Sequence, residues 1–215
     1  MRPLFSLHYR KMLFDDAYKT IESASEGIFR DKGSKFIAYA YPIRSEIEVK
    51  PIITKLRAEH TKANHFCYAY RLTPDRSVFR VNDDGEPSGT AGRPILNCLL
   101  SEDITNTLIV VVRYFGGTLL GVPGLINAYK TASIEAVKAA TVIGKTVNDV
   151  YEAHFAYLQM NDVMKLSKDE NLQILSQQFD TDCVLTFEIR KAQLNQVLSK
   201  FDKIDGVKLK YLNTI

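Results

Sequence analysis

The chain has 215 residues, of which 46% are hydrophobic and 25% charged, with a formal net charge of +3. That length suits one large domain or two small ones, the composition excludes global disorder, and no apolar run approaches the roughly 20 residues that cross a bilayer. Arg2, Arg10 and Lys11 supply the whole positive surplus: the other 25 of 28 basic residues balance 25 acidic ones, so the charge does not argue for nucleic acid and lacks the strong basic bias of a typical sequence-independent DNA binder.

In chain order, the first strand-like stretches are Tyr18 to Ala24 and Gly27 to Arg30, expected to form a hairpin. Ser34 to Pro42 follows as a strand closed by Pro42. Ser45 to His60 reads as an amphipathic helix with Ser45 as N-cap. Pro51 lies inside it and sets the start of the regular helix close by. His65 to Thr73 alternates at the period of a half-buried strand, with Ser77 to Val81 as its partner. A polar turn at 82–87 leads to a short helix at Pro94 to Leu100. Thr107 to Tyr114 is the strongest strand, and Leu125 to Ala140 the strongest helix, with Leu125, Ile126, Tyr129, Ala132 and Ala136 at helical spacing.

A second unit then reads strand (Val150 to Tyr157), helix (Gln159 to Lys168), two strands (Leu172 to Phe179, Asp182 to Arg190), helix (Ala192 to Lys203) and strand (Val207 to Tyr211). That order is βαββαβ, the ferredoxin-like plan. The expected fold class is therefore α+β, with domains at 12–145 and 147–215 and the boundary in Ile143 to Thr146. Met12 is an alternative start. No secretory signal is visible, and Cys67, Cys98 and Cys183 are scattered among apolar residues. Buried reduced thiols and a cytoplasmic location are the expectation.

Two segments stand outside packing logic. Asp83-Asp-Gly-Glu-Pro-Ser-Gly-Thr-Ala-Gly-Arg-Pro94 brings Asp83, Asp84 and Glu86 together, either as a site for a cation or basic partner or as a solvated turn. Arg113-Tyr-Phe-Gly-Gly-Thr-Leu-Leu-Gly-Val-Pro-Gly124 places a glycine loop between strand and helix, where backbone N–H groups can meet an anion. Gly116 and Gly121 have the outer spacing of a Walker A loop, but Val122-Pro123 replaces its Lys-Ser/Thr. The alternative is a tight, closely packed turn. Arg93 and Arg113 can grip a carboxylate or phosphate, or pair with the acidic turn. His65 can serve in binding or proton transfer, with no Ser or Cys nucleophile set beside it locally.

These residues, with Val111-Val-Arg-Tyr-Phe-Gly-Gly-Thr118, Gly124-Leu-Ile-Asn-Ala-Tyr129, Ser34-Lys-Phe-Ile37 and His65-Phe-Cys-Tyr-Ala-Tyr-Arg71, resemble the IMPACT/YigZ family over roughly residues 15–145. The second unit resembles the C-terminal domain of its bacterial branch, which is similar to a domain of elongation factor G. The resemblance implies an N-terminal fold related to the second domain of a small-subunit ribosomal protein, and a link to translational control. Eukaryotic relatives compete for the activator of a starvation-responsive initiation-factor kinase; ribosome or nucleic-acid binding is proposed for bacterial ones. The chain departs from the family at Leu119 and Asn127, often basic, and at Pro123, often Gly.

The expected function is translation-associated binding of ribosome, RNA or an associated protein through an N-domain cleft. The alternative is a small-ligand sensor or enzyme acting on a phosphorylated compound at the glycine loop. Candidate binding residues are His65, Asp83, Asp84, Glu86, Ser88, Arg93, Arg113, Tyr114, Gly116, Gly117, Gly121 and Lys130. No catalytic residue, metal, cofactor or membrane partner is assigned. Tyr39, Tyr41, Tyr68 and Tyr70 are candidates for base stacking, and the second domain's sheet for a further contact surface.

Overall fold

The computed structural model describes residues 16–180 and 182–215. The start at Met12 and the basic residues Arg2, Arg10 and Lys11 lie outside them. The chain forms an α+β structure of two compact units, one running from Tyr18 to Lys145 and the other holding Thr146–Ile215 with Asp16 and Ala17.

The first unit is built on an antiparallel five-stranded sheet in the order β2-β3-β6-β4-β5. Its strands are β2 (Ser25–Asp31), β3 (Ser34–Pro42), β4 (His65–Leu72), β5 (Val78–Asn82) and β6 (Thr107–Tyr114). The apolar run of β6 takes the centre, where all but its last residue are buried. Helices α2 (Gly92–Ser101) and α3 (Gly121–Ala139) cover one face, over Phe36, Ala38, Cys67, Ala69, Ile109 and Val111. Helix α1 (Val49–Glu59) covers the other, over Phe66, Tyr70, Leu72, Leu108, Val110 and Val112. Strand β4 is thus buried on both faces rather than half-buried: its small Cys67 and Ala69 admit a helix where alternation suggested solvent.

The hairpin expected at the start of the domain does not form. β1 (Ala17–Ile21) pairs with β7 (Val142–Thr146), and β2 pairs with β3 through Lys32 and Gly33. Both turn residues have positive φ, 44° and 81°, as a two-residue hairpin turn requires. The stretch expected to hold the boundary, Ile143 to Thr146, lies within strand β7. Ser45 caps a single 3₁₀ turn (Glu46–Glu48), reciprocated by Glu48, before α1 begins. Pro51 falls in α1's first turn, where its missing N–H costs no helical bond. Pro123 occupies the same kind of place in α3, which starts four residues before the expected Leu125.

The second unit carries β8 (Asn148–Ala156), α4 (Met160–Asp169), β9 (Gln173–Phe179), β10 (Asp182–Arg190), α5 (Leu194–Phe201) and β11 (Lys208–Thr214). The sheet order β11-β8-β10-β9 is the ferredoxin-like arrangement. Ala153, Phe155, Leu185 and Phe187 face α4 and α5. The opposite face carries polar side chains: Glu152, His154, Thr186, Ser176, Gln178, Lys208 and Lys210. Among the described residues it presents no aromatic ring on which a base could stack. Edge strand β9 has all seven residues exposed and contains no charge.

Asp16 ties down the C-terminal end of β10. Its carboxylate accepts hydrogen bonds from Arg190 Nε (2.9 Å), Arg190 Nη2 (2.8 Å) and the Ala192 amide (2.8 Å). The Arg190 bonds, more than any other contact, hold the Asp16 carboxyl below its ordinary value. A depressed native pKa gives stability that is complete above the unfolded value of about 3.9 and is lost as pH falls through the native one. Asp16→Asn should therefore unfold earlier than the parent at pH 7 and converge with it in acid, once pH has fallen through the lowered native value. A thermal unfolding series against pH reads this directly, and a gap that persists in acid would rule it out.

Candidate functional site

The acidic turn reverses the chain at Asp84 and Gly85, with φ values of 40° and 87°, and closes with the Glu86 amide on the Asp83 carbonyl at 2.9 Å. Its three carboxylates then diverge. Asp83 accepts from the amides of Gly89, Ala91 and Gly92 at 2.9, 3.1 and 2.8 Å, which caps the start of α2. Asp84 takes both oxygens to Arg57 Nη2 at 2.8 Å and accepts from the Phe66 amide at 2.7 Å. Glu86 turns inward. No group of three or more His, Cys, Asp or Glu among the described residues is placed to hold a metal ion.

Glu86 Oε1 accepts from Arg113 Nη1 at 2.5 Å and from the Tyr129 hydroxyl at 2.8 Å. The side chains of Glu86 and Arg113 are 4% and 6% exposed, so this is a buried ion pair. The guanidinium carbon lies 5.4 Å from the ring centres of both Phe36 and Phe115. Arg113 Nε is enclosed and without a partner among the described residues. Tyr129 also meets Cys67 Sγ at 3.3 Å, and Cys67 reaches the Asp83 carbonyl at 3.0 Å. Burial raises both the Cys67 thiol and the Tyr129 hydroxyl well above their ordinary values, so both stay protonated. The Cys67 thiol is therefore not a nucleophile.

His65 Nδ1 lies 2.8 Å from the Asp84 carbonyl oxygen, which only accepts. Nδ1 therefore carries the proton, and in the neutral ring Nε2 is an acceptor. It faces Glu86 Oε1 at 3.9 Å.

These groups floor a cavity of about 420 Å³, lined by Asn64, His65, Glu86, Pro87, Arg113, Phe115, Leu119, Leu120, Gly121, Val122 and Leu125. The acidic turn and the loop after β6 thus meet on one cavity. Its rim is apolar and open: Leu119 is 83% exposed and Val122 52%. None of the lining side chains is a hydroxyl or a thiol.

Of the residues read from sequence, His65, Glu86, Arg113 and Gly121 line the cavity, with Asp83 and Asp84 behind it holding the turn. Tyr114 points to the other face of the sheet, where its hydroxyl meets His60 Nδ1 at 2.8 Å. Gly116 is a packing glycine: a Cβ there would lie 2.0 Å from the Gly33 carbonyl carbon, and its amide is taken by Ser34 Oγ at 3.1 Å. Gly117 has a φ of 84°, and a Cβ there would meet nothing within 4 Å. Ser88, Arg93 and Lys130 are exposed and do not line the cavity. Tyr70 is core, and Tyr39 and Tyr41 are half-buried rings stacked on each other.

Sequence reasoning missed Asn64, whose Oδ1 accepts from the Phe115 amide at 3.1 Å, and the wall of Leu119, Leu120 and Leu125. It placed Tyr129 on α3's buried face but not its hydroxyl on Glu86. A buried tyrosine needs a partner for its O–H, and that was the available signal.

The Impact N-terminal domain family matches residues 32–137, which span β3, α1, the acidic turn, β6 and most of α3. The chain is 33% identical over 147 residues to IMPACT family member YvyE of Bacillus subtilis, covering 68% of each chain. It is 32% identical over 171 residues to IMPACT family member YigZ of Escherichia coli, covering 79% of this chain and 84% of that one. A crystal structure described as a hypothetical protein superposes with a TM-score of 0.68 at 26% identity, over 92% of this chain and 98% of the other.

Proposed function

Because the chain belongs to the IMPACT family, we propose that it is a translation-associated binding protein that engages its partner through the cavity between the acidic turn and the loop after β6. The link to translation comes from the family. The choice of this cavity rests on one observation: an open apolar rim stands directly over a buried Glu86–Arg113 pair. Exposed Leu119, Val122 and Phe115 gain from being covered, and the polar floor fixes the orientation of what covers them. Chemistry on a phosphorylated compound has less support. The lining offers no hydroxyl or thiol, and Arg113 already carries Glu86 as its counter-ion.

The test is co-sedimentation of purified protein with ribosomal particles across a salt series. Leu119→Asp puts a charge on the rim at a residue the fold does not bury. It should weaken association about tenfold or more, as expected for an apolar contact at the centre of an interface. Lys168→Glu, on an exposed face of α4, should change little. Equal binding by the Leu119 variant and the parent would sink the assignment.

A further inference from the structure

The polar groups of the cavity have a direction. Helix α3 begins on its wall with no side-chain cap and no acidic residue in its first turn. The amides of Gly121 and Val122 have no acceptor among the described residues, because a helix's first N–H groups have none within the helix and no other bond reaches them. Gly121 and Val122 line the cavity. This end of the site offers donors and the positive end of the helix dipole.

Glu86 supplies the opposite character. The residue is 9% exposed, and both hydrogen bonds to its carboxylate fall on Oε1. Oε2 has no partner among the described residues, yet it is not one of the enclosed polar atoms lacking a partner. It therefore opens on the cavity that Glu86 lines. His65 Nε2 adds a second acceptor close by. Phe115, Leu119, Leu120 and Leu125 form the remaining wall.

We propose that the cavity takes the carboxylate-bearing end of an apolar residue, whether a free apolar amino acid or the C-terminal residue of a peptide. This rests on the reading of the cavity as the binding site. The carboxylate accepts from the first-turn amides of α3, the ligand's nitrogen donates to Glu86 Oε2 and His65 Nε2, and its side chain covers the leucine wall. One α-carbon carries all three groups, and a cavity of about 420 Å³ holds a residue of that size. A phosphate dianion fits less well. It meets a single cation, Arg113, already paired with Glu86, and it is repelled by that carboxylate.

Calorimetric titration of the full chain with leucine, N-acetylleucine, N-acetylleucinamide and inorganic phosphate tests this. Leucine or N-acetylleucine should bind, and the amide, which lacks only the carboxylate charge, should bind at least about tenfold more weakly. Tighter binding of leucine assigns the site to the free amino acid. Binding of N-acetylleucine at least as tight assigns it to a chain end. Val122→Pro deletes one first-turn amide at a position where proline keeps a helix, and the preceding Gly121, at a φ of 71°, is already outside the helical region. That variant should lose affinity for the acids while its unfolding midpoint stays unchanged. Equal binding of acid and amide, tighter binding of phosphate, or no binding of either acid at millimolar concentration to folded protein would overturn the inference. Those outcomes leave the ribosomal co-sedimentation untouched, since it reads the Leu119 rim and no small carboxylate.

Discussion

Arg113→Glu is expected to lose about 3–5 kcal/mol of folding stability, read as a lower urea midpoint with an unchanged slope. Sequence alone leaves Arg113 open between gripping a partner's carboxylate or phosphate and pairing with the acidic turn. The structure places it under the cavity with its side chain 6% exposed and Glu86 as its counter-ion. Reversal would set two carboxylates side by side where both side chains are less than a tenth exposed, with little solvent to screen them. It would also strip Glu86 Oε1 of its charged donor and remove the cation held between Phe36 and Phe115. Replacing both partners, Glu86→Leu with Arg113→Met, should recover part of the loss, because neither charge then remains buried. Recovery is incomplete because the Tyr129 hydroxyl loses its acceptor. A singly reversed variant as stable as the parent would show that the pair does not hold the turn.

Gly27→Ala is expected to cost about 3 kcal/mol, the upper end of the roughly 1–3 kcal/mol typical of overpacked cores. Gly27 lies in β2 where α3 crosses it. A Cβ there would lie 2.1 Å from the Ala136 amide nitrogen and 2.5 Å from the Glu135 carbonyl carbon. Both are helix backbone, so no rotamer change relieves the clash. The helix cannot simply back away, since Ser25 Oγ donates to the Ala136 carbonyl at 2.7 Å and Tyr129 two turns earlier anchors the buried network. Thermal unfolding should show a clear fall in Tm. A Tm within about 1 °C of the parent would mean that α3 slides freely on β2.

The elements that the sequence disclosed are those specified locally. The apolar run from Thr107 to Tyr114 and the alternation from Asp182 to Arg190 appear as β6 and β10 at those same bounds. The pairing of β1 with β7 was hidden, because residues 17–21 and 142–146 carry no local sign of each other. Half the cavity was visible for the same reason. Glycines, carboxylates and arginines mark themselves by being poor packing material, and so Glu86, Arg113, His65 and Gly121 stood out. Leu119 stood out only as a departure from an often basic family position and Leu125 only as an apolar helix residue; the fold turns one outward and the other inward.

Strand β9 bears on how the protein behaves in concentrated solution. A sheet edge presents unpaired N–H and C=O groups to any passing chain, and charged side chains are the usual deterrent. The other edges of the two larger sheets carry them: Glu26, Arg30 and Asp31 on β2, Arg80 on β5, Lys208 and Lys210 on β11. β9 reads Gln-Ile-Leu-Ser-Gln-Gln-Phe, with Ile174, Leu175 and Phe179 each more than a third exposed. Among the edges of these two sheets, β9 is thus the one left open to pairing with another chain. A single lysine introduced there would give β9 the deterrent that the other edges already carry.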